Sequence, residues 1–230
     1  MKTIGLLGGM SWESSALYYQ TINTEVKKRL WGLNSAKILM HSVNFAEIEA
    51  LQHAWNWDAL TEIMVENAQS LEKWWADFIL ICTNTMHKMA EAVQASISIP
   101  LIHIADATAK EIANTWIHKI ALLGTAFTME QHFYKWRLME NYGLDVVVPD
   151  ETGRADIHRI IYEELCQWIV RDESREIYKE IIQDLKNQWA EWVILGCTEI
   201  TMLISEEDSA LPIFDTTEIH ALEAVSQSLS

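Results

Sequence analysis

The sequence predicts an α/β fold of two pseudo-symmetric lobes, each a parallel sheet flanked by helices, with the active site in the cleft between them. Three observations predict it. Short β-rich runs alternate with longer amphipathic stretches, the pattern of βα units around parallel sheets. Three sequence elements recur in the same order at nearly one spacing. Half of the 230 residues are hydrophobic and only three are proline, the profile of a chain that buries a substantial core.

Strands are expected at 3–7, 38–42, 78–82 and 101–104, and again at 119–123, 145–148, 193–195 and 212–215. Amphipathic helices fall between them, such as 57–73 and 177–187. TIGLLGGM from Thr3 resembles KIALLGTA from Lys119, an offset of 116 residues. DFILICTNTM from Asp77 resembles EWVILGCTEI from Glu191, an offset of 114, and PLIH from Pro100 has a weaker echo in PIFD from Pro212, an offset of 112. Two lobes follow, 1–110 and 111–230, with a last helix after Thr217 expected to pack back on the first lobe. Sheets of this kind bind ligands outside the carboxyl ends of their strands, so a duplication brings strand ends from both lobes to one cleft. Thr83 and Cys197 then occupy equivalent positions.

Several function classes are disfavoured. A formal charge of −16 repels a phosphate backbone or an anionic membrane, and no Lys/Arg cluster stands against it. No apolar run approaches the roughly 20 residues that a membrane helix needs. The N-terminal MKTIGLLGGMSW fits a first strand better than a signal peptide. Three cysteines, Cys82, Cys166 and Cys197, cannot all pair and lack metal-ligand spacing, which fits free thiols in a reducing cytoplasm. The eight histidines share no ligand spacing, so no metal is expected. The glycine loop after the first strand does not match GxGxxG or a P-loop, which argues against a nucleotide.

The chemistry-bearing motifs are CTNTMH at 82–87 and GCTEIT at 196–201. Each follows a buried-looking strand and opens a helical segment, whose backbone N–H groups can hold a carboxylate. Asn84, Thr85 and Thr198 can add hydrogen bonds there, although Ser, Thr and Asn equally serve as helix caps. Cys197, between Gly196 and Thr198, is the candidate acid/base group, since a helix start lowers a thiol pKa from about 8.5 toward neutrality. Cys166 falls inside a helical run and is expected in the core. Cys82 neighbours Thr83 on a strand and should face the other way. Gly8 and Gly9 end the first strand ahead of Ser11, a loop able to approach a ligand closely. His87 and His103 lie near strand ends, where they border the cleft or serve as ordinary histidines.

The four motifs GLLGGMSWES, CTNTMH, HIADAT and GCTEI, in that order over residues 5–200, resemble those of the aspartate/glutamate racemase family, as does FDTTEIHALEAV near the end. The resemblance implies a cofactor-independent enzyme that uses no pyridoxal phosphate, metal or nucleotide. It racemises aspartate or glutamate, two facing acid/base residues removing and returning the Cα proton. It implies Thr83 and Cys197 as catalytic residues, with Met10, Ser11, Gln52, Asn84, Thr85, Thr198 and Glu199 binding substrate. Many relatives carry Cys at both catalytic positions; Thr83 here resembles a Thr/Cys subgroup. A hydroxyl is far less acidic than a thiol, so a lopsided mechanism follows, with Cys197 thiolate abstracting and Thr83 Oγ protonating. The expected partners are an amino-acid substrate and, for assembly, a second copy of the chain as a homodimer. Broad amino-acid specificity, a related isomerase or decarboxylase, and a non-catalytic amino-acid-binding protein are the rival readings.

Composition adds an anomaly. Eleven Trp are many, and eight Gly are few against the roughly 16 expected at average usage. Trp75 and Trp189 stand at equivalent helix-to-strand junctions, where a left-handed helix cap favours Gly. Trp31, Trp55, Trp74, Trp116, Trp136, Trp168 and Trp192 are also out of place, whereas Trp12 and Trp57 are ordinary. Conversion of those nine would raise glycine from 8 to 17. The expectation is that UGA codons meaning Gly in the source are translated as Trp, the alternative being a lineage that tolerates surface aromatics.

Overall fold

The computed structural model describes residues 1–230, which divide into two compact units. Unit one comprises Met1–Ile104 with His220–Ser230, and unit two Ala105–Ile219. Each has one four-stranded, all-parallel sheet.

Unit one runs β1 (Ile4–Gly8), α1 (Trp12–Leu30), β2 (Ile38–Ser42), α2 (Phe45–His53), α3 (Trp57–Lys73), β3 (Phe78–Ile81), α4 (Ala90–Ser96) and β4 (Leu101–Ile102). Unit two runs α5 (Ile104–Ala113), β5 (Lys119–Gly124), α6 (Ala126–Glu130), α7 (His132–Tyr142), β6 (Asp145–Val147), α8 (Glu151–Glu163), α9 (Asp172–Asn187), β7 (Trp192–Gly196) and β8 (Ile213–Asp215). The final helix α10 (Thr216–Leu229) begins in unit two. From His220 on it belongs to unit one, where Ala221, Ala224 and Val225 are buried against Ile4, Leu6, Tyr18 and Ile22.

All eight expected strands are present, with ends within two residues of those expected; α3 has the expected bounds. The repeat survives at the level of register. Sheet order is β2-β1-β3-β4 in one unit and β6-β5-β7-β8 in the other. Ile4 pairs with Phe78 as Ile120 pairs with Trp192, and Ile79 pairs with Leu101 as Val193 pairs with Ile213. Even the carboxylate before the third strand recurs: Asp77 accepts from Thr3 N (2.6 Å), and Glu191 from His118 N (3.1 Å) and Lys119 N (3.2 Å).

The central strands are buried on both faces, hence their continuous apolar runs. Helices turn apolar residues at helical spacing toward them: Leu60, Met64, Ala68 and Leu71 on α3, and Tyr178, Ile182 and Leu185 on α9. At Gly9 (φ 90°) the chain leaves β1 so close to β2 that a Cβ would lie 2.3 Å from Val43 O, so no other residue fits.

Candidate active site

In unit one the candidate residues gather at the carboxyl ends of β1 and β3. Ser11 caps α1, its Oγ accepting from Ser14 N (3.3 Å), and Ser15 Oγ accepts from Gly9 N (2.7 Å) while donating to Ser11 O (3.1 Å). The glycine loop is thereby fixed from behind by the first turn of α1. The Met10 side chain is buried in the core with Ile48 and Met86, so this position can offer a ligand its backbone. Gln52 is buried on α2 and donates from Nε2 to Met86 Sδ (3.3 Å). Thr83 is half-buried in the bend after β3, with Asn84 and Thr85 buried beside it.

In unit two Cys197 stands in the matching place after β7, extended (φ −153°, ψ 130°) and likewise half-buried. Its Sγ donates to Glu199 Oε2 at 2.9 Å. Thr198 Oγ1 and Thr217 Oγ1 share a 3.0 Å hydrogen bond, and Thr216 Oγ1 donates to Leu195 O (2.9 Å), tying the start of α10 to the end of β7. Asp215, the last residue of β8, accepts from Thr217 N (2.8 Å) and Glu218 N (3.2 Å), while burial raises its carboxyl pKa.

The ionisation expected of Cys197 is corrected by this geometry. A helix start was to hold a thiolate, but Cys197 precedes a single 3₁₀ turn, Thr198–Met202, too short for a macrodipole of consequence. Burial raises the thiol pKa well above its ordinary value, and the Glu199 carboxylate raises it further, first by its charge and also by accepting the S–H. Cys197 rests as a thiol. The first motif likewise opens on a 3₁₀ turn, Thr85–Met89, before α4.

Of the other cysteines, Cys82 takes the place expected, whereas Cys166 is half-buried in the 3₁₀ turn Leu165–Gln167 rather than inside a core helix. Cys82 is fully buried among Tyr18, Leu80 and Ala224, and burial raises its pKa far out of the working range. Cys166 packs against the core of unit two. Sequence reasoning missed two features. One is that the Glu199 carboxylate accepts from Cys197, for which the Cys-x-Glu spacing at a turn is the available signal. The other is at His87, placed by sequence near a strand end with either a cleft or an ordinary role: its Nδ1 lies 2.8 Å from Thr83 O.

Two α/β units of one topology, each with a hydroxyl or thiol residue at the same strand end, define a duplicated α/β fold. A family model described as Asp/Glu/Hydantoin racemase matches residues 7–224, and the chain belongs to that family. It is similar, at 49% identity and a TM-score of 0.94 over 100% of both chains, to a Yersinia pestis structure assigned to the Asp/Glu racemases. An aspartate racemase homologue from Pyrococcus horikoshii is 33% identical with a TM-score of 0.84, again over 100% of both chains. A broad specificity amino-acid racemase of Bacillus subtilis is 24% identical, covering 99% of this chain and 98% of its own.

Proposed function

We propose that the protein interconverts the enantiomers of aspartate or glutamate by two-base proton transfer at Cα, with Cys197 and Thr83 serving opposite faces of the substrate. The observation that carries this reading is the 2.9 Å hydrogen bond from Cys197 Sγ to Glu199 Oε2, a thiol with its proton acceptor already in place. Glu199 takes the thiol proton, the thiolate takes the Cα proton, and Thr83 Oγ1 gives its proton to the other face of the carbanion. Thr83 regains a proton from water, and Glu199 returns its own to water. In reverse, Cys197 is the acid. The repeat makes the two sides unequal: Thr85 stands at the position that Glu199 holds in unit two, so Thr83 has no carboxylate at the equivalent place.

The chemistry uses side chains alone and calls for no cofactor. Met10, Ser11, Gln52, Asn84, Thr85, Thr198 and Glu199 are the proposed binding groups. None of the nine candidate residues is cationic, which favours a second reading, broad specificity, in line with the Bacillus relative. A cytoplasmic location fits three free thiols, and no helix is long and apolar enough to cross a membrane. A homodimer is the assembly to be tested by light scattering. The deciding experiment incubates acidic and neutral amino acids with the enzyme in D₂O and follows Cα exchange by NMR. Exchange of aspartate or glutamate alone supports the first reading, and exchange across neutral amino acids the second. Saturable binding without any exchange refutes both.

A further inference from the structure

Both carbonyls flanking the Thr83 side chain are held by buried groups. Ser14 Oγ donates to Cys82 O (2.9 Å), and His87 Nδ1 lies 2.8 Å from Thr83 O. A carbonyl only accepts, so Nδ1 carries the proton. Nε2 then has a lone pair, and it accepts from Ile104 N at 3.1 Å. His87 is therefore neutral and in one tautomer, assigned from these two partners. Its ring lies 4.5 Å from that of His103 and 5.7 Å from that of His220. His220 is fixed in turn, Nδ1 accepting from Tyr18 Oη (2.7 Å) and Nε2 donating to Ile102 O (2.9 Å). A deep polar framework thus ends on the backbone of Thr83.

We infer that His87 is a positioning residue for Thr83, its Nδ1–H fixing the carbonyl of the residue whose hydroxyl must face Cα. The inference rests on the role proposed above for Thr83. Two substitutions separate positioning from mere support. Asn places an amide N–H near where Nδ1 lies and keeps the bond to Thr83 O, whereas Gln reaches the place of Nε2 and keeps only the acceptor for Ile104 N.

Placement errors of about 1 Å can cost on the order of 10²-fold in rate. His87→Gln should accordingly lower kcat for net racemisation by about tenfold or more. KM should change little, and Cα exchange with retention at Cys197 should persist. His87→Asn should keep kcat within about threefold of wild type even if its melting temperature falls. A kcat equal in the two variants, or tracking melting temperature, overturns the inference. If His87→Gln does not fold, His87→Asn decides alone, since a tenfold lower kcat there overturns it. Thr83→Ala runs beside them: if it racemises like wild type the proposed role of Thr83 falls, and if it is impaired while His87→Gln is normal only the role of His87 falls.

A second inference rests on backbone conformation. The non-glycine residues with positive φ are Trp31, Trp55, Trp75, Trp168 and Trp189, and every one is tryptophan. Four close helices in the same way. Trp75 N donates to Glu72 O and Ala76 N to Leu71 O; Trp189 N to Lys186 O and Ala190 N to Leu185 O. Trp55 with Asn56 and Trp168 with Ile169 repeat the pattern. That pair of bonds needs a left-handed residue at the helix end, ordinarily glycine, and Gly143 fills the place after α7. All five indoles are exposed. The backbone makes no such demand at Trp74, Trp116, Trp136 or Trp192, the last of which stacks on Phe214 at 4.4 Å.

The geometry points to glycine at 31, 55, 75, 168 and 189 in the natural protein, encoded by UGA in a code that reads UGA as glycine. Sequencing the natural coding DNA tests this, together with peptide mass analysis of the protein from its own source. UGA codons and glycine-bearing peptides at these five positions are expected; UGG codons and tryptophan there overturn it.

Discussion

Cys197 Sγ donates to Glu199 Oε2 across 2.9 Å within one turn of chain, so the proposed acid/base thiol and its proton acceptor form a prebuilt pair. With the thiol pKa raised by burial and by Glu199, thiolate forms only by transfer to that carboxylate or at high pH. Transfer within the pair leaves its proton count unchanged, so the rate of the direction started by Cys197 should be nearly flat with pH through the neutral range. A variant lacking the carboxylate must lose the thiol proton to solvent and should speed up as pH rises. Glu199→Gln keeps the shape but not the charge of the acceptor, and kcat in that direction should fall by about 10²-fold. Measurement of kcat in both directions against pH for wild type and variant checks both statements; a variant with the rate and the pH profile of wild type contradicts the pairing.

Cys197→Ala should abolish Cα exchange with the fold retained, because a half-buried thiol is replaced by a smaller side chain at a strand end. A general acid/base contributes roughly 10² to 10⁴ in rate. Residual exchange within about threefold of wild type would remove Cys197 from the mechanism.

Much of this was legible in the sequence. The repeats at Thr3/Lys119, Asp77/Glu191 and Pro100/Pro212 set the topology because register in a parallel sheet carries sequence similarity directly into pairing. They also put Thr83 and Cys197 at matching strand ends. The resting state of Cys197 was not legible, since strand–turn spacing does not reveal whether a turn becomes a long helix or a single 3₁₀ turn. Nor does it reveal that Glu199 folds back on the sulfur. His87 was hidden for a similar reason: its partners, Thr83 O and Ile104 N, are backbone atoms that no side-chain pattern reports. The Trp anomaly was visible in composition, but only φ separated five positions from the other four.

His220 should make the protein acid-sensitive. Burial pushes its pKa down to about 3 from 6.5. The unfolded chain thus binds a proton that the folded chain refuses, and stability present above about pH 6.5 is lost as pH falls toward 3. The slope contributed by one such site is at most about 1.4 kcal/mol per pH unit. Denaturant melts of wild type and His220→Gln between those limits should show a shallower loss in the variant, and parallel curves would count against the assignment.

The central claim is that Thr83 and Cys197 act on opposite faces of Cα, and it is tested most directly at Thr83. A racemase has an equilibrium constant of one, so kcat/KM is equal in the two directions and asymmetry appears only in kcat at saturation. Measuring both kcat values and Cα deuterium incorporation for wild type, Thr83→Cys and Thr83→Ala gives the answer. The account predicts that Thr83→Cys moves the ratio of the two kcat values toward one, since both faces then carry a thiol that can act as base. It predicts that Thr83→Ala loses net racemisation while keeping some exchange with retention, as Cys197 removes and returns a proton on its own face. Wild-type racemisation by Thr83→Ala would contradict it, leaving Thr83 a turn residue and the second acid/base group elsewhere.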